Sequence, residues 1–242
     1  MILTVHGFNT NPYSPNPDDH PTAQQCDFAK ALEPYTTKPF NWYSAVQGNW
    51  PDIKKAWRAG RLHTYSYAYQ DLAPKTAVDF LAFVVRIAAR SGPVDVFAHS
   101  LGSRVVLQAA RLSPKSFRRI CLINAAERVE IAYPIIKNLP PSVKILNVCV
   151  KGDKVLDKLA GYCSPGLFRK EKILGQDGLL PSQQEITKAN YKEIFLDDPL
   201  MQQRLKEKYY LELKGGGDHH TSYKHVGNHG LFYRFFNDEL EL

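Results

Sequence analysis

The sequence predicts one α/β domain whose central sheet is mostly parallel and flanked by helices. Apolar residues make up 44% and charged residues 23% of the 242 positions, which is typical of a chain that buries a core. Short apolar segments, typical of buried strands, alternate with segments whose apolar residues recur at helical spacing. This alternation favours strands joined by helices. No linker or internal repeat divides the sequence, so we expect a single domain over residues 1–242.

The first half is predicted to contain two strands and two helices. In order, they cover residues 2–6 (strand), 23–32 (helix), 62–69 (strand) and 74–91 (helix). Thr22 is a favoured N-cap for the first helix, and Pro74 suits the first turn of the second. Gly92 and Pro93 end that second helix. Tyrosines at alternate positions mark one face of the second strand: Tyr65, Tyr67 and Tyr69.

The second half is predicted to continue this pattern. The strands cover residues 94–98, 119–124, 143–150 and 209–213, and the helical segments cover 101–112, 182–195, 199–208 and 231–240. After residue 151 the pattern loosens for about fifty residues, and long segments of this kind in compact domains are often lids or binding loops. Residues 158–206 are therefore the predicted lid.

The charge balance indicates a solvated basic surface. Lys and Arg outnumber Asp and Glu by 31 to 24, a net charge of +7 at pH 7. The basic residues are scattered or mixed with acids, and no nucleic-acid-binding signature is present, so we predict no nucleic-acid partner. No run of about 18 apolar residues occurs, so no membrane-spanning helix is expected. The first residues lack the basic flank and apolar stretch of a signal peptide.

The cysteines indicate buried thiols rather than disulfides or zinc ligands. None of the four has a short paired spacing to another: Cys26, Cys121, Cys149 and Cys163. Cys121 and Cys149 lie inside apolar strand-like runs, where free cysteine behaves as a small apolar residue. Free thiols suit a reducing compartment, which predicts a cytoplasmic location.

The segment Ala98-His99-Ser100-Leu101-Gly102 lies where a buried strand ends and a helix begins. Small residues two positions before and after Ser100 allow a sharp turn that lifts the hydroxyl above the sheet. The N-terminus of the following helix then points at any oxyanion that develops there. This placement predicts that Ser100 is a nucleophile, and the alternative is a surface serine that caps the helix.

On these residues the chain resembles the α/β-hydrolase family, in its serine esterase and lipase branch. Ala98 stands where glycine is usual, which is a frequent variant. The resemblance implies an α/β-hydrolase fold with a minimal cap, because only residues 125–141 separate the two strands between which large caps insert. It also implies that the N-terminal strands are reduced, because the oxyanion strand begins at Met1.

The segment His6-Gly7-Phe8 after the first strand is a second match to the family. There, a His-Gly segment supplies one oxyanion-hole amide, which by position is that of Phe8. The residue after the nucleophile, here Leu101, supplies the other. The alternative is an ordinary strand exit that contains glycine.

The resemblance also implies a triad in the chain order serine, acid, histidine. Asp153 is the first carboxylate after the strand 143–150 and takes the acid position, with Asp157 in reserve. The alternative is a solvated carboxylate that pairs with Lys151 or Lys154.

The base is expected after the last strand, where half of the eight histidines are found. The segment His220-Thr-Ser-Tyr resembles the base loop of several hydrolase relatives, and the glycines at 215–217 let this loop bend over Ser100. His229 is the main competitor as the base, and His219 is the third candidate.

The same loop offers side chains that zinc accepts: Asp218, His219, His220, His225 and His229. His225 and His229 share a helical face only if Gly227 is helical, which the low helix propensity of glycine disfavours. Adjacent histidines in a glycine-rich loop point in different directions. We therefore predict no metal and no cofactor.

Two more groups of residues lie near the predicted site. His6 and His99 are expected to orient or pack rather than to act as bases, since each lies on a tight turn. Five aromatic residues are equally compatible with lining a substrate pocket and with packing a long connection: Phe40, Trp42, Tyr43, Trp50 and Trp57.

The predicted function is hydrolysis of a small-molecule carboxylic ester through an acyl-enzyme on Ser100. Two alternatives stay open at this stage. One is an acyltransferase or thioesterase with the same triad, and the other is a hydrolase-fold binding module without catalysis.

Overall fold

Six strands form one parallel sheet in this protein. A computed structural model describes residues 1–8, 23–42, 65, 68–163, 171–187, 189–215 and 220–241. The strands are β1 (Ile2–Val5), β2 (Thr37–Phe40), β3 (Val94–His99), β4 (Phe117–Ile123), β5 (Lys144–Cys149) and β6 (Tyr191–Phe195). Their order in the sheet is β2-β1-β3-β4-β5-β6, and every neighbouring pair is parallel. The predicted α/β fold class is confirmed.

Helices cover both faces of this sheet. They are α1 (Ala23–Ala31), α2 (Ala73–Ser91), α3 (Gly102–Leu112), α4 (Val129–Asn138), α5 (Lys154–Cys163), α6 (Leu174–Asp177), α7 (Pro181–Thr187), α8 (Pro199–Tyr209) and α9 (Val226–Phe236). Side chains of α2, α3 and α4 share one buried cluster with the sheet, and those of α1, α8 and α9 share the other. No helix in these ranges is both long and apolar enough to span a bilayer.

Alternation along the strands divides the core between the two faces. In β3, Val96 and Ala98 belong to the cluster under α2 and α3, whereas Phe97 belongs to the cluster under α1 and α9. Cys121 alternates in the same way with Leu122 in β4. Because both faces are covered, apolar residues occupy four of the six positions of β3 and five of the seven of β4, which made these strands visible in the sequence.

The strand order reverses between β1 and β3, and the predicted active site lies at this reversal. From β1 the chain crosses to β2 on one side and then returns to β3 on the other. In doubly wound sheets, ligands bind outside the carboxyl ends of the strands at such a switch point. Phe8 follows β1 and Ser100 follows β3, so both lie at this edge.

The predicted second strand at 62–69 is wrong. The second strand is β2, whose sequence Thr-Lys-Pro-Phe lacks an apolar run because β2 is an exposed edge strand. Tyr65 and Tyr69 instead lie four residues apart in or near helical backbone, and both are buried. Their rings stack with centroids 6.3 Å apart, so the apolar signal reported burial, but these two residues do not belong to a strand. Tyr67 lies outside the described residues.

The predicted last strand at 209–213 is also wrong. The last strand is β6, which pairs with β5 and lies within the predicted lid 158–206 and the predicted helical segment 182–195. Helix α8 continues to Tyr209, and Tyr210 ends it in the left-handed region with φ 57°. Leu211 and Leu213 are buried in the same cluster as α9 without forming a strand. Their alternation comes from packing on helices, not from pairing in the sheet.

Two smaller points concern the start of the last helix, which differs from the prediction, and the cysteines. The last helix begins at Val226, so Gly227 is helical, contrary to expectation. Cys121 and Cys149 are buried free thiols, as predicted, and burial raises the pKa of both. Cys26 is free and exposed.

Candidate active site

Ser100 lies in the turn that connects β3 to α3. Its φ is 51°, in the left-handed region where residues other than glycine are uncommon, and such strain is typical of functional turns. Two backbone hydrogen bonds hold the turn against the neighbouring strand: the Ser100 amide donates to Ile123 O at 3.0 Å, and the Ala126 amide donates to Ser100 O at 3.0 Å. The serine is thus fixed above the carboxyl end of the sheet.

Glycines on both sides of Ser100 permit this geometry. A Cβ at Gly102 would lie 2.5 Å from His6 O and 2.7 Å from Val5 O, so only glycine lets α3 approach β1 this closely. A Cβ at Gly7 would lie 2.9 Å from the Ser100 Cβ. Of the two small residues noted beside Ser100 in the sequence, Gly102 is therefore required by the close approach of α3 to the first strand.

His220 lies between Ser100 and Asp153. Its Nδ1 is 2.8 Å from Asp153 Oδ2, and its Nε2 is 3.1 Å from Ser100 Oγ. A carboxylate only accepts hydrogen bonds, so Nδ1 carries the hydrogen and Nε2 is left to accept one from the serine hydroxyl. The structure brings together three residues that are separated by 53 and 67 positions along the chain.

Asp153 is fully buried, and four hydrogen bonds satisfy its carboxylate. Oδ1 accepts from the amides of Val155 and Leu156 at 2.9 and 3.0 Å, in the manner of an N-cap for α5. Oδ2 accepts from His220 and from Asn124 Nδ2, the latter at 2.9 Å. These neutral donors stabilise a buried negative charge next to the imidazole.

The other acid and base candidates lie elsewhere. Asp157 is in the first turn of α5, and Lys151 lies 3.8 Å from the Asp198 carboxylate. His229 is in α9, where its Nε2 contacts Tyr223 O at 3.0 Å, and burial lowers its pKa. His219 and Asp218 lie outside the described residues. Within the described ranges, no group of three histidine, cysteine or carboxylate side chains is arranged to hold a metal.

Two backbone amides beside the Ser100 turn differ from their neighbour in their hydrogen bonding. Among the residues that the structure describes, the amides of Phe8 and Leu101 have no acceptor, whereas the preceding Gly7 amide donates to Gln24 Oε1 at 2.9 Å. Phe8 and Leu101 follow adjacent strands. These are the two amides that the sequence predicts for an oxyanion hole.

His6 and His99 are buried and neutral. Burial lowers the pKa of His6 to about 4 and that of His99 well below its usual value. His6 Nδ1 donates to Gly7 O at 2.9 Å, and its Nε2 accepts from the Trp42 amide at 3.2 Å. His99 Nε2 likewise lies 2.8 Å from the backbone oxygen of His220, so each ring contacts a backbone carbonyl of a loop at the site.

The aromatic residues that the structure describes pack on the core. Phe40 contacts Phe80 and Phe83 of α2, and Trp42 stacks on His6 with ring centroids 5.7 Å apart. Tyr43, Trp50 and Trp57 lie outside the described residues, so their predicted role in a pocket stays a prediction.

A buried ion pair next to the turn was not predicted. Arg104 of α3 donates two hydrogen bonds to Glu127, at 2.7 and 2.8 Å, and Tyr69 donates another. Burial raises the pKa of Glu127, and the Arg104 charge opposes that rise. The pair joins α3 to the loop after β4. No local sequence signal marks it, because its partners are 23 and 58 residues apart.

Known proteins give no close match to this chain. No family model and no curated protein matches the chain. The crystal structure of a predicted CIB-like hydrolase from Thermoplasma acidophilum aligns with this chain at 14% sequence identity and a TM-score of 0.45. The alignment covers 98% of this chain and 84% of the hydrolase chain. The fold and the site together define a doubly wound α/β protein with hydrogen-bonded serine, histidine and aspartate at its switch point.

Proposed function

We propose that this protein is a serine hydrolase of the α/β-hydrolase type that cleaves carboxylic esters through an acyl-enzyme. One observation carries the proposal: the His220 imidazole contacts both Ser100 Oγ and Asp153 Oδ2, in the tautomer that leaves Nε2 able to take a proton. A serine hydroxyl is a weak nucleophile and needs such a base.

In the first step Ser100 Oγ attacks the ester carbonyl carbon while His220 Nε2 takes the hydroxyl proton. The carbonyl π electrons move to oxygen, and the amides of Phe8 and Leu101 stabilise the resulting anion. Asp153 stabilises the imidazolium. The imidazolium then returns its proton to the departing alkoxide, which leaves as an alcohol and yields the acyl-enzyme.

The second step repeats the first with water as the nucleophile. His220 takes a proton from water as its oxygen attacks the acyl carbon. The same amides hold the second tetrahedral anion, and the proton passes to Ser100 Oγ as the carboxylic acid leaves.

We expect hydrolysis of p-nitrophenyl esters by the wild type, with one optimum in a series of acyl chain lengths. Ser100→Ala and His220→Ala should each lower kcat by about a thousandfold or more, because triad members act as a unit. His229→Ala is the matched control, because His229 is a half-buried histidine of α9 that does not contact Ser100 and should leave kcat near wild type. Full activity of Ser100→Ala would overturn the proposal.

A fluorophosphonate probe tests the nucleophile without assuming a substrate. Labelling of Ser100 in the wild type, but not in Ser100→Ala, supports an activated serine. An unlabelled wild type would instead favour the binding module without catalysis. Competition between water and added alcohols for the acyl group then separates a hydrolase from an acyltransferase.

The free thiols support the predicted reducing compartment. Cys26, Cys121 and Cys149 are all free, which favours a reducing compartment such as the cytoplasm.

A further inference from the structure

Gln24 connects the loop after β1 to the loop that carries His220. Its side chain projects from α1 and makes three hydrogen bonds. Oε1 accepts from the Gly7 amide at 2.9 Å, and Nε2 lies 3.1 Å from His99 Nδ1 and 3.2 Å from the Tyr223 hydroxyl. His99 Nε2 in turn lies 2.8 Å from His220 O. A continuous path of hydrogen bonds therefore runs from residue 7 to residue 220.

The backbone groups at the two ends of this path determine which atom donates and which accepts in each of its hydrogen bonds. The Gly7 amide can only donate, so the Gln24 side chain must present its carbonyl there and its NH2 group to His99. The His220 carbonyl can only accept, so His99 must carry its hydrogen on Nε2 and accept at Nδ1. Only a neutral His99 satisfies both contacts, and burial favours that state.

We infer that Gln24, acting through His99, is a positioning residue that holds the oxyanion loop and the base loop in register with each other. The inference rests on the proposed function for its consequence in catalysis. By binding the Gly7 amide, Gln24 orients the next peptide so that the Phe8 amide stays available to the substrate. By holding the His220 carbonyl through His99, it sets the backbone from which the imidazole reaches Ser100.

A charge on His99 would affect the proposed base, because the His99 ring lies next to that of His220. The titratable groups that face it are His220, with ring centroids 4.8 Å apart, His6, Tyr223 and Lys224. Lys224 is itself paired with Asp27 of α1 at 3.1 Å. A proton added to His99 would thus place a positive charge beside the proposed base and lower the proton affinity of that base.

Substitution of Gln24 by glutamate tests this polarity. A carboxylate accepts from Gly7 as the amide does, but it contacts His99 Nδ1 favourably only when one proton is shared between them. We expect Gln24→Glu to be active at low pH and to lose activity as that proton dissociates, which adds a descending limb to the kcat profile. The wild type lacks this limb, because an amide does not titrate.

Removal of the side chain tests the positioning itself. Gln24→Ala should lower kcat about 10- to 100-fold at every pH with little change in KM, since small misplacements of catalytic groups cost rates of this size. Gln25→Ala is the matched control: the neighbouring glutamine of α1 donates to Phe40 O at 3.1 Å and lies outside the path. His99→Gln keeps a donor for the His220 carbonyl and should retain more activity than His99→Phe.

A readout that is independent of turnover separates this inference from the proposed function. Nitrogen-15 NMR of the imidazoles should show His99 in the Nε2–H tautomer in the wild type. In Gln24→Glu that tautomer should persist at low pH and be lost as the shared proton dissociates. An Nδ1–H tautomer in the wild type would overturn the inference whether or not the protein hydrolyses esters. Equal kcat profiles of Gln24→Glu and Gln25→Ala in an active enzyme would also overturn it.

Discussion

Asn124 shows how one side chain supports several parts of the site. It follows β4 and has φ 47°, a left-handed conformation that asparagine tolerates better than most residues. Its Nδ2 donates to Asp153 Oδ2 at 2.9 Å, and its Oδ1 accepts from the Ser222 hydroxyl at 2.7 Å. Asn124 thereby joins the buried carboxylate to the loop that carries His220.

We predict that Asn124→Ala lowers both activity and stability. The substitution leaves Asp153 with one donor fewer and the Ser222 hydroxyl without its acceptor, and unsatisfied buried polar groups cost about 1–3 kcal/mol each. Urea unfolding and kcat/KM measure the two effects. Asn124→Gly is the control, because glycine adopts φ 47° without strain and isolates the loss of hydrogen bonds from the backbone effect. A glycine variant as stable and active as the wild type would contradict this role.

The buried ion pair between Arg104 and Glu127 connects helix α3 to the loop after β4. Helix α3 begins just after Ser100, and Arg104 in its first turns binds Glu127 in the loop after β4. The loop in turn holds the serine turn through Ala126. Both charged groups are buried, so neither is well solvated once its partner is removed.

We predict that Arg104→Met lowers the free energy of unfolding by about 3–5 kcal/mol, since it leaves a carboxylate buried without its cation. Adding Glu127→Gln to that variant should restore part of the loss, because a neutral amide costs less to bury. Urea unfolding of the four members of this cycle measures the coupling. Lys206→Met is the control: its 3.5 Å contact with Glu212 is between side chains 66% and 71% exposed. An Arg104→Met effect as small as this control would disprove the prediction.

Acid sensitivity is a property of the whole molecule that follows from its buried histidines. Burial lowers the pKa of His6 from 6.5 to about 4 and that of His99 well below 6.5. Between these values the unfolded chain binds more protons than the folded chain, so stability rises with pH. Their contribution is fully present above about pH 6.5 and is lost as the pH falls towards 4. Asp238, whose pKa Arg119 lowers to about 2, adds a further loss only between about pH 4 and 2.

We therefore predict that the contribution of these two histidines to the free energy of unfolding falls steadily from pH 6.5 to pH 4. For His6 alone the loss is about 3 kcal/mol, from the free energy that corresponds to its lowered pKa. His6→Asn keeps a donor for the Gly7 carbonyl but removes the titrating ring, so its stability curve should be flatter over this range. Denaturant unfolding at several pH values measures both curves. Parallel curves for wild type and variant would show that His6 does not contribute.

Most of the buried strands could be predicted from the sequence, but the two edges of the sheet could not. Strands β3, β4 and β5 are covered on both faces and read as apolar runs. The edge strands β2 and β6 each contain two adjacent polar residues, Thr37-Lys38 and Lys192-Glu193, because each strand pairs on one side only and is partly exposed. The alternating apolar residues at 65–69 and 209–213 correctly indicated buried side chains, but these segments do not pair as strands in the sheet.

The sequence by itself determined the local features of the site. Ser100 lies in a turn between a strand and a helix that are contiguous in the chain. The residue types that form this turn are therefore neighbours in the sequence and can be recognised there. Only the tertiary structure decided which of the histidines faces Ser100 and which carboxylate faces His220. It also brought Gln24, Asn124 and Glu127 to the site. These contacts join residues far apart in the chain, and no local pattern encodes which distant side chains the folded sheet will bring together.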